Sequence, residues 1–233
     1  MSFVFAAPPQ VSVPVVGTDQ RFPLRRVFCV GRNYADHARE VGAPEQADGR
    51  EPPFFFMKPT DAVVSGVGEV EVAYPPLTGN LHHEVELVVA LQAGGANVAV
   101  DQALGLVFGY AVGLDLTRRD IQGVAKAKGH PWDMGKGFDQ SAVISEIVPV
   151  SRCGHPASGR ICLSVNGLIK QDGDLSSMMW KVADVIANLS TSVRLAAGDL
   201  IYSGTPAGVG PLLRGDLIEA EVAGVAQLRA RMV

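Results

Sequence analysis

The chain has 233 residues, with Lys+Arg 20 against Asp+Glu 24, a net charge of −4, 47% hydrophobic residues and 19% charged residues. That length builds a full core, and the composition, with Gly 26 and Pro 15, suits a compact, loop-rich fold rather than a disordered chain or a helical bundle. Basic pairs occur only at Arg25-Arg26 and Arg118-Arg119, so there is no electrostatic footprint for nucleic acid or an anionic membrane, and neither is predicted as a partner.

Residues 1–25 read as a proline-broken arm preceding one domain over 26–233. The opening "MSFVFAAPPQVSVPVVG" has no basic start and is cut by Pro8, Pro9 and Pro14, unlike a signal peptide, and no apolar run reaches spanning length. Cys29, Cys153 and Cys162 are odd in number and lack C-x-x-C spacing, which predicts reduced thiols in a cytoplasmic protein. "RVFCV" gives a short strand ending at Gly31, and "YADHAREVG" predicts a helix with Asn33 as its cap and Gly42 at its end. His37 and Glu40 lie three apart and meet on one helix face; a carboxylate that orients an imidazole makes a general base, although such pairs also decorate exposed helices. "GAPEQADGREPP" is a polar loop, and "FFFMKPTDAVV" a strand broken at Lys58-Pro59.

"LHHEVELVVAL", residues 81–91, predicts a strand on which His82, Glu84, Glu86, Val88 and Ala90 share one face. Apolar residues at 88 and 90 argue that this face is partly buried. Two carboxylates about 6.5 Å apart repel by roughly 2.5 kcal/mol at an effective dielectric near 20. A shared proton, a basic side chain or a bound cation would offset that cost; otherwise the strand lies at an edge with its acids solvated.

"LVFGYAVGLDLT" is a further strand in which Gly109 and Gly113 permit bends, and Asp115 stands at its end, either as a turn former or as a third oxygen ligand. With Glu84 and Glu86 it makes an all-carboxylate set suited to Mg²⁺, Mn²⁺ or Ca²⁺, with His82 able to add a nitrogen. Thr117 and Asp120 predict a capped helix closed by Gly129. Lys136 in "MGKGFD" reads either as a ligand-facing lysine between glycines or as a solvated loop residue. Asn166-Gly167 predicts a type I′ hairpin turn, and "SSMMWKVADVIANLS" a helix. "SGTPAGVG" lacks the Gly-Lys-Ser/Thr ending of a phosphate loop, and "QDGDLSS" lacks calcium-loop spacing, so both predict turns, with Thr205 and neighbouring N–H groups able to bind a carboxylate. Strands outnumber helices at hairpin-like spacing, which predicts an α+β fold.

Taken together, "GRNYADHARE", "FFFMKPTDAVV", "LHHEVELVVAL", "GYAVGLDLTRRDIQ", "KGFDQSA", "VNGLIKQDGD" and "GDLIYSGTPAGVG", in this order, resemble the fumarylacetoacetate hydrolase family over nearly everything after residue 25. The resemblance implies a mixed β-sandwich roll with a few short helices, and a divalent cation, usually Mg²⁺, on Glu84, Glu86 and Asp115. It implies a lid around 32–50 with His37 and Glu40 as its water-activating dyad, and Lys136, Arg119, Gln122 and Thr205 lining the site. The expected reaction is hydrolysis of a C–C bond in a small 2,4-dioxo acid such as fumarylpyruvate, by a homodimer, in gentisate-type aromatic breakdown. Acylpyruvate hydrolysis, oxaloacetate decarboxylation and non-catalytic ligand binding are the alternatives. Arg32 and Lys58 adjoin the motifs and are the candidates for reading a far carboxylate.

Overall fold

The computed structural model describes residues 2–42 and 52–233, so residues 43–50 of the expected lid lie outside the described residues. Its centre is a mixed sheet in the order Phe54–Lys58, Arg26–Gly31, Asp199–Tyr202, Val85–Leu91, Val107–Asp115, Ala142–Ile144 and Val63–Ser65, with Val148–Pro149 also paired to Val107–Asp115. A five-stranded sheet, ordered Leu168–Asp174, Arg160–Val165, Leu217–Val222, Ala226–Met232 and Glu69–Val72, packs across it. With few and mostly short helices, this is the α+β, mixed β-sandwich roll that the sequence predicts.

Val85–Leu91 lies inside the large sheet between Asp199–Tyr202 and Val107–Asp115, so the edge-strand reading of the glutamates is wrong. The strand alternation explains why both of its faces are apolar. Val85, Leu87, Val89 and Leu91 enter the main core with Ile161, Leu163 and Ile186, the last from the helix Val182–Ser192. Val88 and Ala90 enter a second core, roofed by Val13, Val15, Phe22 and Leu24. Those four come from the proline-broken arm, where Ser12–Pro14 pairs with Arg21–Pro23 as a small antiparallel ribbon. Pro14 and Pro23 end the two strands of this ribbon, where a missing N–H costs no ladder bond to a central strand.

Two expected helix caps are not caps. Asn33 is buried and reaches across the molecule: its Nδ2 donates to Ser203 O and Trp180 O, and its Oδ1 accepts from Trp180 N. The helix Ala35–Glu40 starts from Tyr34 without a side-chain cap. Thr117 belongs to a short strand, Thr117–Arg118, and its hydroxyl donates to Asp115 O; the helix Arg119–Lys128 begins after it. Asp120 instead accepts from Thr78 Oγ1 and Gly79 N, tying that helix to the preceding loop. Asn166 and Gly167 both have positive φ, at 51° and 78°, in the hairpin turn expected there.

Candidate active site

The strand carrying the glutamates breaks at Glu84, between Leu81–His83 and Val85–Leu91. Gln171 holds the break. Its Oε1 accepts from Val85 N at 3.0 Å and from His83 Nδ1 at 2.9 Å, while its Nε2 donates to Thr205 Oγ1 at 2.7 Å and Pro206 O at 2.8 Å. All four hydrogen-bonding positions of a fully buried amide are thus filled. Gln171→Ala leaves the buried partners unpaired and is expected to destabilise the fold by about 3 kcal/mol, at about 1–3 kcal/mol for each unsatisfied group. Urea unfolding measures it; a loss under about 1 kcal/mol would show that the break is held by something else.

Glu84, Glu86 and Asp115 converge, with one carboxylate oxygen from each lying within 4.8 Å of the others. They are 4%, 1% and 1% exposed, so solvent does not offset their repulsion. Burial, then Asp115 and Glu84, push the Glu86 carboxyl well above the ordinary carboxylate range, although Gly204 N donates to its Oε2 at 2.6 Å. Burial also works to raise Glu84, but Lys136 and Arg119 outweigh it and hold that carboxyl low. Three hard oxygens in a closed, mutually repelling set fit a divalent cation, whose charge removes the repulsion. His82 is outside the set: it meets Asn80 Oδ1 and Arg119 Nε, and burial followed by Arg119 pushes it down to about 4.

Cations surround the acids. Lys136 Nζ lies 2.7 Å from Glu84 Oε2 and 2.7 Å from Asp115 Oδ2, so it is a buried site residue and not a solvated loop lysine. Burial alone would lower its pKa, but Asp115 and Glu84 raise it, and it is protonated here. The glycine before it serves packing, since a Cβ on Gly135 would sit 3.0 Å from Gln122 Cβ. Arg119 pairs with Glu84 Oε1 and donates to Gln122 Oε1 at 2.8 Å.

Lys58 is the residue that sequence reasoning placed wrongly. It is 2% exposed, its Nζ stands 2.8 Å from Asp115 Oδ1, and it donates to Leu116 O and Lys136 O, so it braces the acids from behind and cannot read a distant carboxylate. The available signal was a lysine ending an apolar strand, with a proline after it to turn the chain away.

His37, from the helix Ala35–Glu40, completes the wall of the same pocket, which also contains Arg32, Phe54, Lys126, Trp132 and Thr205. Its Nδ1 lies 3.1 Å from Glu40 Oε2. Burial lowers its pKa below 6.5, and this outweighs the upward pull of Glu84 and Glu40. Glu40 Oε1 accepts from Gly208 N at 3.0 Å, which anchors the helix over the site. "SGTPAGVG" therefore does bind carboxylates through its backbone, but they are the protein's own, Glu86 at Gly204 and Glu40 at Gly208. Both glycines have φ near +98° to +99°, and a Cβ on Gly208 would lie 2.1 Å from Lys170 O. "QDGDLSS" is not the turn expected: Gln171–Asp174 complete the strand Leu168–Asp174, where Asp172 pairs with Arg160, and only Leu175–Ser177 turns, with Asp174 accepting from Ser176 N and Gly159 N.

The chain is similar to known proteins over most of its length. The fumarylacetoacetate (FAA) hydrolase C-terminal profile matches residues 26–233. A fumarylpyruvate hydrolase from a Ralstonia species is 48% identical over 188 residues, covering 81% of this chain and 96% of the relative. The crystal structure of fumarylpyruvate hydrolase from Pseudomonas aeruginosa in complex with Mn²⁺ and pyruvate superposes with a TM-score of 0.96 at 46% identity, covering 100% of this chain and 99% of that one. A mitochondrial oxaloacetate decarboxylase from Dictyostelium discoideum is 38% identical over 86% of this chain and 90% of its own.

Proposed function

The chain belongs to the fumarylacetoacetate hydrolase family, and from the site it builds we propose that it hydrolyses the C–C bond of a 2,4-dioxo acid, fumarylpyruvate, to fumarate and pyruvate. The observation that carries the reading is the buried triad of Glu84, Glu86 and Asp115 facing the His37–Glu40 dyad across one pocket.

Glu84, Glu86 and Asp115 would hold a divalent cation, with Mg²⁺ among those that suit an oxygen-only donor set, and when bound it would supply Lewis acidity to the pyruvoyl end of the substrate. The carboxylate of Glu40 accepts the Nδ1–H of His37, which leaves the Nε2 lone pair to take a proton from water as that water attacks the distal carbonyl. The lowered pKa keeps His37 neutral for this task at pH 7. Lys136 balances negative charge as the pyruvate enolate leaves, and Arg119, Gln122 and Thr205 orient the substrate. Charge counting supports an anionic substrate: the three carboxylates are balanced by Lys58, Lys136 and Arg119, so a divalent ion adds net positive charge at this end of the pocket. All three cysteines are free thiols, which supports work in the cytoplasm. The proposal places the protein there as a homodimer serving gentisate-type aromatic breakdown.

The test follows purified protein acting on fumarylpyruvate, by loss of diketone absorbance and by release of pyruvate. Turnover with Mg²⁺ that stops on chelation is expected; metal binding without turnover would overturn the hydrolase reading. The Dictyostelium relative makes oxaloacetate decarboxylation the second reading. That reaction needs no attacking water, so an activity indifferent to loss of His37 would favour it.

A further inference from the structure

The inner cations of the pocket are engaged by carboxylates, but among the described residues two cations further out are not. Arg119, Gln122 and Lys126 stand at i, i+3 and i+7 of the helix Arg119–Lys128, which puts them on one face, and all three line the pocket. Lys126 lies about one turn past Gln122, roughly 6 Å further along the helix from Arg119, which pairs with Glu84. Arg32 enters the same pocket from the end of the strand Arg26–Gly31, with a backbone φ of 56° that a non-glycine residue adopts only under constraint.

The two are placed by one aromatic pair. Phe54 and Trp132 meet edge to face at 5.7 Å; Arg32 lies 5.6 Å from the Phe54 ring and Lys126 Nζ lies 5.0 Å from the Trp132 ring. Neither cation has a carboxylate partner among the described residues, and Arg32 Nε is buried there without a hydrogen bond. Burial, then Arg119, Arg32 and Lys136, drive the Lys126 ammonium down to about 8, with only Glu84 opposing. A half-buried pair of cations at the outer end of a pocket whose inner end holds the acids calls for an anion there.

We propose that Arg32 and Lys126 form the subsite for the far carboxylate of the substrate, so that the protein selects dianionic 2,4-dioxo acids over monocarboxylate acylpyruvates. The inference rests on the hydrolase reading for the position of the near end.

Binding and turnover separate the two. Calorimetry with Mg²⁺ compares 2-oxopimelate, which has a far carboxylate and no 4-oxo group to cleave, with the monocarboxylate 2-oxohexanoate. Wild type is expected to bind the dicarboxylate at least about tenfold tighter, the low end for a hydrogen bond to a charged group. Lys126→Met and Arg32→Met are each expected to remove that preference and leave the monocarboxylate affinity within about threefold. A wild type with no preference, or variants that weaken both ligands equally, overturns the subsite. In turnover, the ratio of kcat/KM for fumarylpyruvate to that for acetylpyruvate should be highest at the acid end and fall as pH rises through about 8 and Lys126 loses its proton, with Lys126→Met abolishing the fall. If no dioxo acid is cleaved yet the preference in binding stands and is lost in both variants, the hydrolase reading fails and the subsite survives.

Discussion

Glu86→Gln abolishes cation-dependent turnover and at the same time raises the melting temperature of the metal-free protein. The loss of turnover follows from removing one of three convergent oxygen ligands. The gain in stability follows from the direction of the Glu86 shift: an acid whose folded pKa is raised above its unfolded value destabilises the fold when ionised. Its contribution is present in full below pH 4.5 and is lost as pH rises through the raised folded value, so at pH 7 a neutral amide removes a cost. The amide oxygen of Gln keeps the bond from Gly204 N. A gain of about 1 kcal/mol corresponds to about 2–4 °C for a chain of this size.

Asp115→Ala should match that loss of activity with the opposite effect on stability, because Lys58 and Lys136 then keep buried charges without the carboxylate they share, at about 3–5 kcal/mol. Melting with and without Mg²⁺ reads both variants. Wild-type activity in either removes the assignment of the cation site. A Glu86→Gln protein less stable than wild type would show that the three carboxylates are not in repulsive contact.

His37→Ala lowers turnover by at least about a hundredfold, the low end for a general base, with little change in cation affinity. In wild type the acid limb of kcat/KM should fall below pH 6.5, because burial holds the imidazole pKa down and the ring stays neutral to a lower pH than in water. Glu40→Gln should cost less than His37→Ala, since it removes the acceptor that sets the tautomer while an amide oxygen still accepts from Gly208 N. A loss of tenfold or less in His37→Ala, or an acid limb unmoved by it, would reduce the histidine to a pocket wall residue.

Much of the site is legible without coordinates because its signals are local. The two-residue period reads Glu84 and Glu86 onto one side, and they do converge although the strand breaks at Glu84; His37 and Glu40 meet through the helical turn, and Asn166-Gly167 announces its hairpin through a φ that few other residues tolerate. Lys58 and Gln171 were not legible in the same way. Lys58 meets Lys136 O across 78 residues and Gln171 meets Val85 N across 86, and no periodicity links such positions. Asn33 shows the same limit more sharply: it has the chemistry of a helix cap and sits where a cap belongs, yet its partner Trp180 N is 147 residues away. A local propensity yields when burial offers the same amide several satisfied bonds at once.

What the sequence determined by itself is the α+β class and the local pairings, Glu84 with Glu86 and His37 with Glu40, since each depends on spacing within a few residues; that Asp115 joins the glutamates and that the dyad shares their pocket depends on contacts between distant segments. Only the tertiary structure decided which charges are paired. It buried Lys58 behind Asp115, roofed the glutamate face with the N-terminal ribbon, and left Arg32 and Lys126 facing the pocket without acidic partners among the described residues. The physical reason is that a charge's role depends on the opposite charges and the burial around it, and both are set by contacts between segments far apart in the chain.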